Sequence, residues 1–212
     1  VILRDKDGEV QLTVKKRETS TEVLERIGML REHSAIGVRG IVRNTPKAPR
    51  GAEISPKDLK LLSPARSKPP FNIFGKTLPS IDKRLDIRAL DLRRPRSLAL
   101  FKVRQIVVNA LRTYFNGCGY LEVNTPKIIS SATEGGASLF PILYYDKEAF
   151  LTQSPQLYKE QLVMAFEKVF EIAPAFRAEQ SRTHEHLSEF VSVDVEEAYV
   201  NYHGTMETLE GM

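Results

Sequence analysis

Phe176-Arg177-Ala178-Glu179-Gln180-Ser181-Arg182-Thr183-His184-Glu185-His186-Leu187-Ser188-Glu189-Phe190 is the stretch on which the reading of this chain turns. The apolar runs 169–176 and 190–199 flank it with strand length and strand composition, so the polar segment between them joins two strands. Arg177 and Glu179 stand two residues apart and leave the same face of an extended chain. An arginine so placed can clamp a phosphate bidentately, while the carboxylate beside it accepts from an amino group or holds the guanidinium. Arg182, His184 and His186 add donors to the same loop. The same residues also fit a polar hairpin with a surface Arg–Glu pair, and His-x-His raises a metal site that has neither Cys nor a third His near it. Along 190–199, Val191, Val193 and Val195 alternate with Ser192, Asp194 and Glu196, which makes the polar face either a solvent face or a binding floor.

Upstream, Gln153-Ser154-Pro155-Gln156-Leu157-Tyr158-Lys159 opens a helix expected to run to about 166, with Ser154 as cap and proline at the first helical position. Gln156 and Lys159 share one face of it, where the lysine either fixes a small carboxylate or is solvated. Ser131-Ala132-Thr133-Glu134-Gly135-Gly136-Ala137 is a loop whose paired glycines carry a single carboxylate. A strand is expected around 140–145. Before these, Pro95 and Ser97 start one long helix with apolar positions Leu100, Val103, Val107, Leu111 and Tyr114, ended by Gly117 and Gly119. A strand over 120–123 stops at Thr125-Pro126, and 205–212 starts another helix.

The first part of the chain has a different character. Short β-rich runs at 1–3, 10–14 and 35–42 are interrupted by a helical pattern over 20–30, and Asp7-Gly8 is a hairpin signal between the first two. Strands, a helix and more strands in under 65 residues suit an OB-type barrel. Seven of the twelve prolines lie between Pro46 and Pro79, too dense for a helix or a central strand, and a connection is placed at 64–96. Residues 1–100 carry 22 Lys+Arg against 12 Asp+Glu, and residues 101–212 carry 9 against 15, giving +10 and −6. A basic first half suits a polyanion such as nucleic acid, or is a solvated basic surface.

With 42% apolar and 27% charged residues the chain is of ordinary globular composition, which excludes disordered and collagen-like classes. The single Cys118 excludes an internal disulfide and any cysteine-rich zinc module, and no apolar run approaches the roughly 20 residues of a membrane span. A cytosolic protein is expected. Phosphate-binding glycine loops of the P-loop and Rossmann kinds, the nucleophile elbow and the H-E-x-x-H metal motif are all missing from the sequence.

The order of these segments resembles the class II aminoacyl-tRNA synthetases, and within them the aspartyl-tRNA synthetases of archaeal and eukaryotic cytosolic type. Gly119-Tyr120-Leu121-Glu122-Val123-Asn124-Thr125-Pro126 after its long helix resembles motif 1, which in that family builds a homodimer interface, and 176–190 resembles motif 2. The loop 131–137 resembles the one that closes over aspartate, and 153–159 resembles the amino-acid pocket. The resemblance implies an α/β (α+β) fold: an OB-fold β-barrel binding the anticodon at 1–63, a hinge at 64–96, and the first part of a class II antiparallel-sheet catalytic domain at 97–212. It implies Arg177 on the ATP α-phosphate and the aspartyl carboxyl, with Glu179 and Phe190 on adenine and His186 on the outer phosphates. It likewise implies Lys159 on the β-carboxylate of L-aspartate, Gln156 and Asp194 on its amino group, Glu134 closing over it, and Gln11 reading an anticodon base of tRNA. ATP and Mg2+ are the implied cofactors, with the metal ligands and motif 3 expected past Met212, and the first OB strands expected before Val1. Glu185 stands where some members of the family carry arginine. An asparagine-charging relative and a non-catalytic tRNA-binding or dimerisation paralogue are the alternatives, the first of which would lack Lys159.

Overall fold

The computed structural model describes residues 1–131, 139–179 and 186–212. The chain divides into two compact units, Val1–Arg94 and Pro95–Met212.

In the first unit, β1 (Ile2–Arg4) and β2 (Glu9–Leu12) form the antiparallel hairpin expected around Asp7-Gly8. Its loop is held by the Asp5 carboxylate, which accepts from the backbone N–H groups of Asp7 and Gly8 at 2.9 and 3.0 Å. Gly8 supplies the positive φ of 148° that closes the turn. Helix α1 (Thr21–Met29) starts at Ser20, whose hydroxyl caps the N–H of Val23. β3 (Ala35–Asn44) pairs along its length with β4 (Ala52–Ser63), and the sheet order is β1-β2-β4-β3. β4 corrects the expectation that the proline-dense stretch excludes a central strand, because it runs between β2 and β3 with Pro56 inside it. The register shifts between Arg39 and Gly40, opposite Pro56, so the residue that cannot donate to the ladder sits at a bulge. Gly40 is required there, since a Cβ would collide with the Ser55 carbonyl. Beyond the sheet, α2 (Ile81–Asp86) and α3 (Arg88–Asp91) are short, and the buried Asp91 gathers Arg84, Arg88 and Arg94 at 3.4, 2.9 and 3.6 Å.

The second unit opens with α4 (Pro95–Gly117), 23 residues long and bounded as the sequence predicts. Gly119, at φ 82°, turns the chain into β5 (Leu121–Glu122). β6 (Ile128–Ile129), β7 (Pro141–Tyr144) and β8 (Lys147–Leu151) make a small antiparallel sheet in the order β6-β8-β7. β8 was not legible in advance, because its turn at Tyr145, with φ 57°, carries no glycine. Helix α5 (Gln156–Phe166) leads into β9 (Lys168–Phe176), which pairs antiparallel with β10 (Glu189–Glu197) through nine registered positions and parallel with β5. Last comes α6 (Tyr202–Gly211), capped by Asn201.

The core lies between α4 and one face of this sheet. Phe115, Tyr120 and Phe170 are buried together, with Leu111, Tyr114, Ile172 and Val195 packed around them. Phe115 stacks on Phe170 at 4.9 Å between ring centres and meets Tyr120 edge-on at 5.5 Å.

Candidate active site

Strand pleating gives β9 and β10 two chemically different faces. Directly paired residues share a face, so Glu171 lies beside Asp194, Val169 beside Glu196 and Ala173 beside Ser192. Helix α5 lies across this polar face and brings Lys159 down onto it, so the face is covered and not open to solvent along its length. Lys159 is 3% exposed, and its Nζ stands 3.4 Å from Asp194 Oδ1, 3.4 Å from the Val195 carbonyl oxygen and 3.5 Å from Glu196 Oε2. These separations exceed the roughly 2.7–2.9 Å of a committed charge-assisted bond. The ammonium is surrounded by acceptors without being engaged at close range by any of them.

The placement of α5 follows from the segment before it. Thr152 N–H donates to the Lys127 carbonyl at 3.0 Å and the Thr152 carbonyl accepts from Phe176 N–H at 2.9 Å, so 152–154 is threaded between β6 and the end of β9. Helical residues begin at Gln156, one later than expected, with Pro155 in the cap position. The Ser154 hydroxyl still accepts from the Gln156 N–H, at 3.4 Å. Gln156 and Lys159 thereby share the face turned to the floor, and Gln156 Nε2 donates to Glu196 at 3.3 Å and to Glu160 at 3.0 Å.

A second network fixes the floor from the other side. Glu171 is 1% exposed and accepts from Thr125 N–H at 2.6 Å, from the Thr125 hydroxyl at 2.9 Å and from Lys127 Nζ at 2.9 Å. A buried carboxylate opposite Asp194 would be costly alone, and three donors satisfy it. Glu171 and Lys127 were missed as site residues, and Glu196 was read only as part of the polar strand face, because each acts through a partner distant in sequence.

At the far end of the two strands, Arg177 N–H donates to the Ser188 carbonyl at 3.0 Å and continues the ladder by one step. The Glu179 N–H then bonds back to the Arg177 carbonyl at 2.8 Å, so the chain turns at Ala178 and is not extended to Glu179. Even so, Arg177, Glu179, His186, Leu187 and Phe190 line one cavity of about 210 Å³. The Arg177 guanidinium lies 5.6 Å from the Phe190 ring centre, and His186 Nε2 is 3.5 Å from Glu179 Oε2. The cavity combines a guanidinium, an imidazole, a carboxylate and a flat ring, which suits a nucleotide. Glu134 lies outside the described residues. Among the described residues no group of three or more His, Cys, Asp or Glu side chains is arranged to hold a metal ion.

In the first unit, Gln11 sits on β2 with its Nε2 3.0 Å from the Thr13 hydroxyl and 3.4 Å from Glu53, which also accepts from that hydroxyl at 2.7 Å. Glu53 is buried and was not singled out from the sequence. Along α4, by contrast, Leu100, Val103, Ile106 and Val107 are each at least half exposed.

Comparison with known proteins adds to this geometry. The family model for tRNA synthetases class II (D, K and N) matches residues 80–212. The aspartate–tRNA(Asp/Asn) ligase of Saccharolobus solfataricus is 50% identical over 210 residues, covering 99% of this chain and 48% of that protein. The aspartate–tRNA(Asp) ligase of Pyrococcus horikoshii is 45% identical over 210 residues, covering 98% of this chain and 48% of that protein. The crystal structure of asparaginyl-tRNA synthetase from Pyrococcus horikoshii complexed with asparaginyl-adenylate superposes with a TM-score of 0.90 at 36% identity, over 99% of this chain and 48% of that one. The chain spans about half the length of the curated relatives it matches.

Proposed function

Because the chain belongs to the class II tRNA synthetases (D, K and N), we propose that the protein carrying it is an aspartate–tRNA ligase. The observation that supports this most is the buried, loosely held ammonium of Lys159 over a polar floor, 3.4 Å from Asp194. It can donate a charge-assisted hydrogen bond to the β-carboxylate of aspartate, which the neutral side-chain amide of asparagine would answer only with a weaker acceptor. Asp194 and Gln156 take the α-ammonium and Glu134 closes over the amino acid. Arg177 holds the α-phosphate of ATP and the reacting carboxylate, Phe190 and Glu179 take the adenine, and His186 takes the outer phosphates.

In this reading an α-carboxylate oxygen of aspartate forms a bond to the α-phosphorus as the bond to the bridging oxygen breaks and pyrophosphate leaves. The terminal ribose hydroxyl of tRNA then attacks the carbonyl carbon, loses its proton and displaces AMP. Arg177 contributes by positioning and by stabilising charge on the α-phosphoryl oxygens. Residues 1–63 serve as an OB-fold anticodon-binding domain with Gln11 reading a base, 64–96 as hinge and 97–212 as catalytic domain. The exposed apolar side of α4 supports a homodimer through motif 1, which sedimentation as a monomer at micromolar concentration would contradict. Among the described residues no helix is long and apolar enough to cross a membrane, in keeping with a cytoplasmic enzyme.

ATP–pyrophosphate exchange by the full-length gene product tests the proposal. Exchange is expected with aspartate and not with asparagine, and Lys159→Leu is expected to lower aspartate-dependent kcat/KM by at least about 100-fold. Exchange with asparagine alone would favour the asparagine-charging alternative, and exchange with neither amino acid a non-catalytic tRNA-binding protein.

A further inference from the structure

Gln156 ends between two carboxylates, and that decides which half of its amide remains available. Its Nε2 lies 3.0 Å from Glu160 Oε1 and 3.3 Å from Glu196 Oε2. Ionised carboxylates only accept hydrogen bonds, so both must be met by the NH2 group, whose two N–H donors are thereby committed. What Gln156 has left is Oε1, an acceptor. An amide turned by 180° would present donors to a substrate ammonium and repel it.

We propose that Glu196 is a positioning residue for the amino-acid pocket. It locks the Gln156 amide so that Oε1 is offered to the α-ammonium of the substrate, and it steadies Lys159 Nζ at 3.5 Å from the same carboxylate oxygen. One side chain thus couples the group that receives the ammonium to the group that receives the side-chain carboxylate. Glu160 alone is a weaker lock, because its bond to Gln156 is exposed to water whereas that of Glu196 is partly buried. The proposal rests on the reading that Gln156 binds the amino group of aspartate.

A double-mutant cycle in the full-length gene product tests it, with pyrophosphate exchange giving separate KM values for aspartate and ATP. Glu196→Leu is expected to raise the aspartate KM about tenfold while the ATP KM and the melting temperature hold. Glu196→Gln, whose own Oε1 can still accept from Gln156, is expected to regain most of that loss. In a Gln156→Ala background, Glu196→Leu is expected to add only the share carried through Lys159, about threefold, and so to fall short of its full tenfold. Additive losses would overturn the proposal, as would a Glu196→Gln variant no better than Glu196→Leu, or parallel rises in both KM values. Glu196→Ala serves the same cycle if the leucine variant does not fold. Wild-type protein without aspartate-dependent exchange removes the functional reading and this inference with it, whereas active wild type with an indifferent Glu196→Leu removes this inference alone.

Discussion

The two faces of the β9–β10 ribbon are made from alternate residues of the same strands and are held in place by opposite physics. One face presents Phe170, Ile172 and Val195 to Phe115 and Tyr120 on the α4 side. Contact there is non-directional, and burial of apolar area suffices. The other presents Glu171, Ser192, Asp194 and Glu196, where burial costs free energy unless every acceptor meets a donor. Lys159, Lys127, Thr125 and Gln156 supply those donors from α5 and from the strand connection before β6. The apolar face can absorb small errors by repacking, whereas the polar one depends on each hydrogen bond. The candidate site residues Lys159, Gln156 and Asp194 sit on the face where geometry is enforced.

That contrast predicts a ranked set of losses. Phe170→Ala removes a fully buried ring from the stack and is expected to cost about 4 kcal/mol in chemical unfolding, with no change in which amino acid the folded protein prefers. A shift in preference would mean that the two faces are not independent. Glu171→Leu comes next, at about 3 kcal/mol, because it strands the buried Thr125 N–H and hydroxyl and leaves Lys127 to resolvate. A neutral result by the same measurement would show that the polar floor is held by packing. Tyr120→Phe, at about 1 kcal/mol, deletes the hydrogen bond that the phenol donates to Glu197 at the edge of the apolar face.

The same pair supplies a pH test. Burial pushes the Glu197 carboxyl upward, but the hydrogen bonds from Lys168 and Tyr120 and the Lys168 charge outweigh it and hold the group below its ordinary value of 4.5. A carboxyl depressed in the folded state favours folding above 4.5 and loses that contribution as the pH falls through its folded value. Burial, aided by Glu197, pushes the Tyr120 phenol up to about 12, so its neutral form favours the fold below pH 10 and the benefit fades as pH rises toward 12. Unfolding of wild type against Tyr120→Phe is expected to show the difference shrinking at both ends of the scale. A difference that stayed constant from pH 3 to 7 would unlink Tyr120 from the carboxylate.

Much of this arrangement can be read from the chain itself. Long-period apolar spacing with Gly117 and Gly119 behind it sets α4, and the Val/acid alternation over 191–196 announces a strand with one polar face. Arg177, Phe190, Lys159 and Asp194 stand in segments whose order resembles a class II synthetase, and it is that resemblance which implies a nucleotide and a small acid. Local rules were silent on β8, whose turn lacks glycine, and misleading on Pro56, which a bulge accommodates.

Pattern within a window of a few residues determined the elements, since helix spacing, strand alternation and turn chemistry are properties of neighbours along the backbone. Whether the polar face of β10 lies open to water or under another element was decided only when α5 was laid across it. Glu171 finds Thr125 46 residues away, and Gln156 finds Glu196 40 residues away. Such partners carry no mark in either segment alone, because a hydrogen bond depends on distance and direction in space, and those exist only once the strands are paired and the helix is seated.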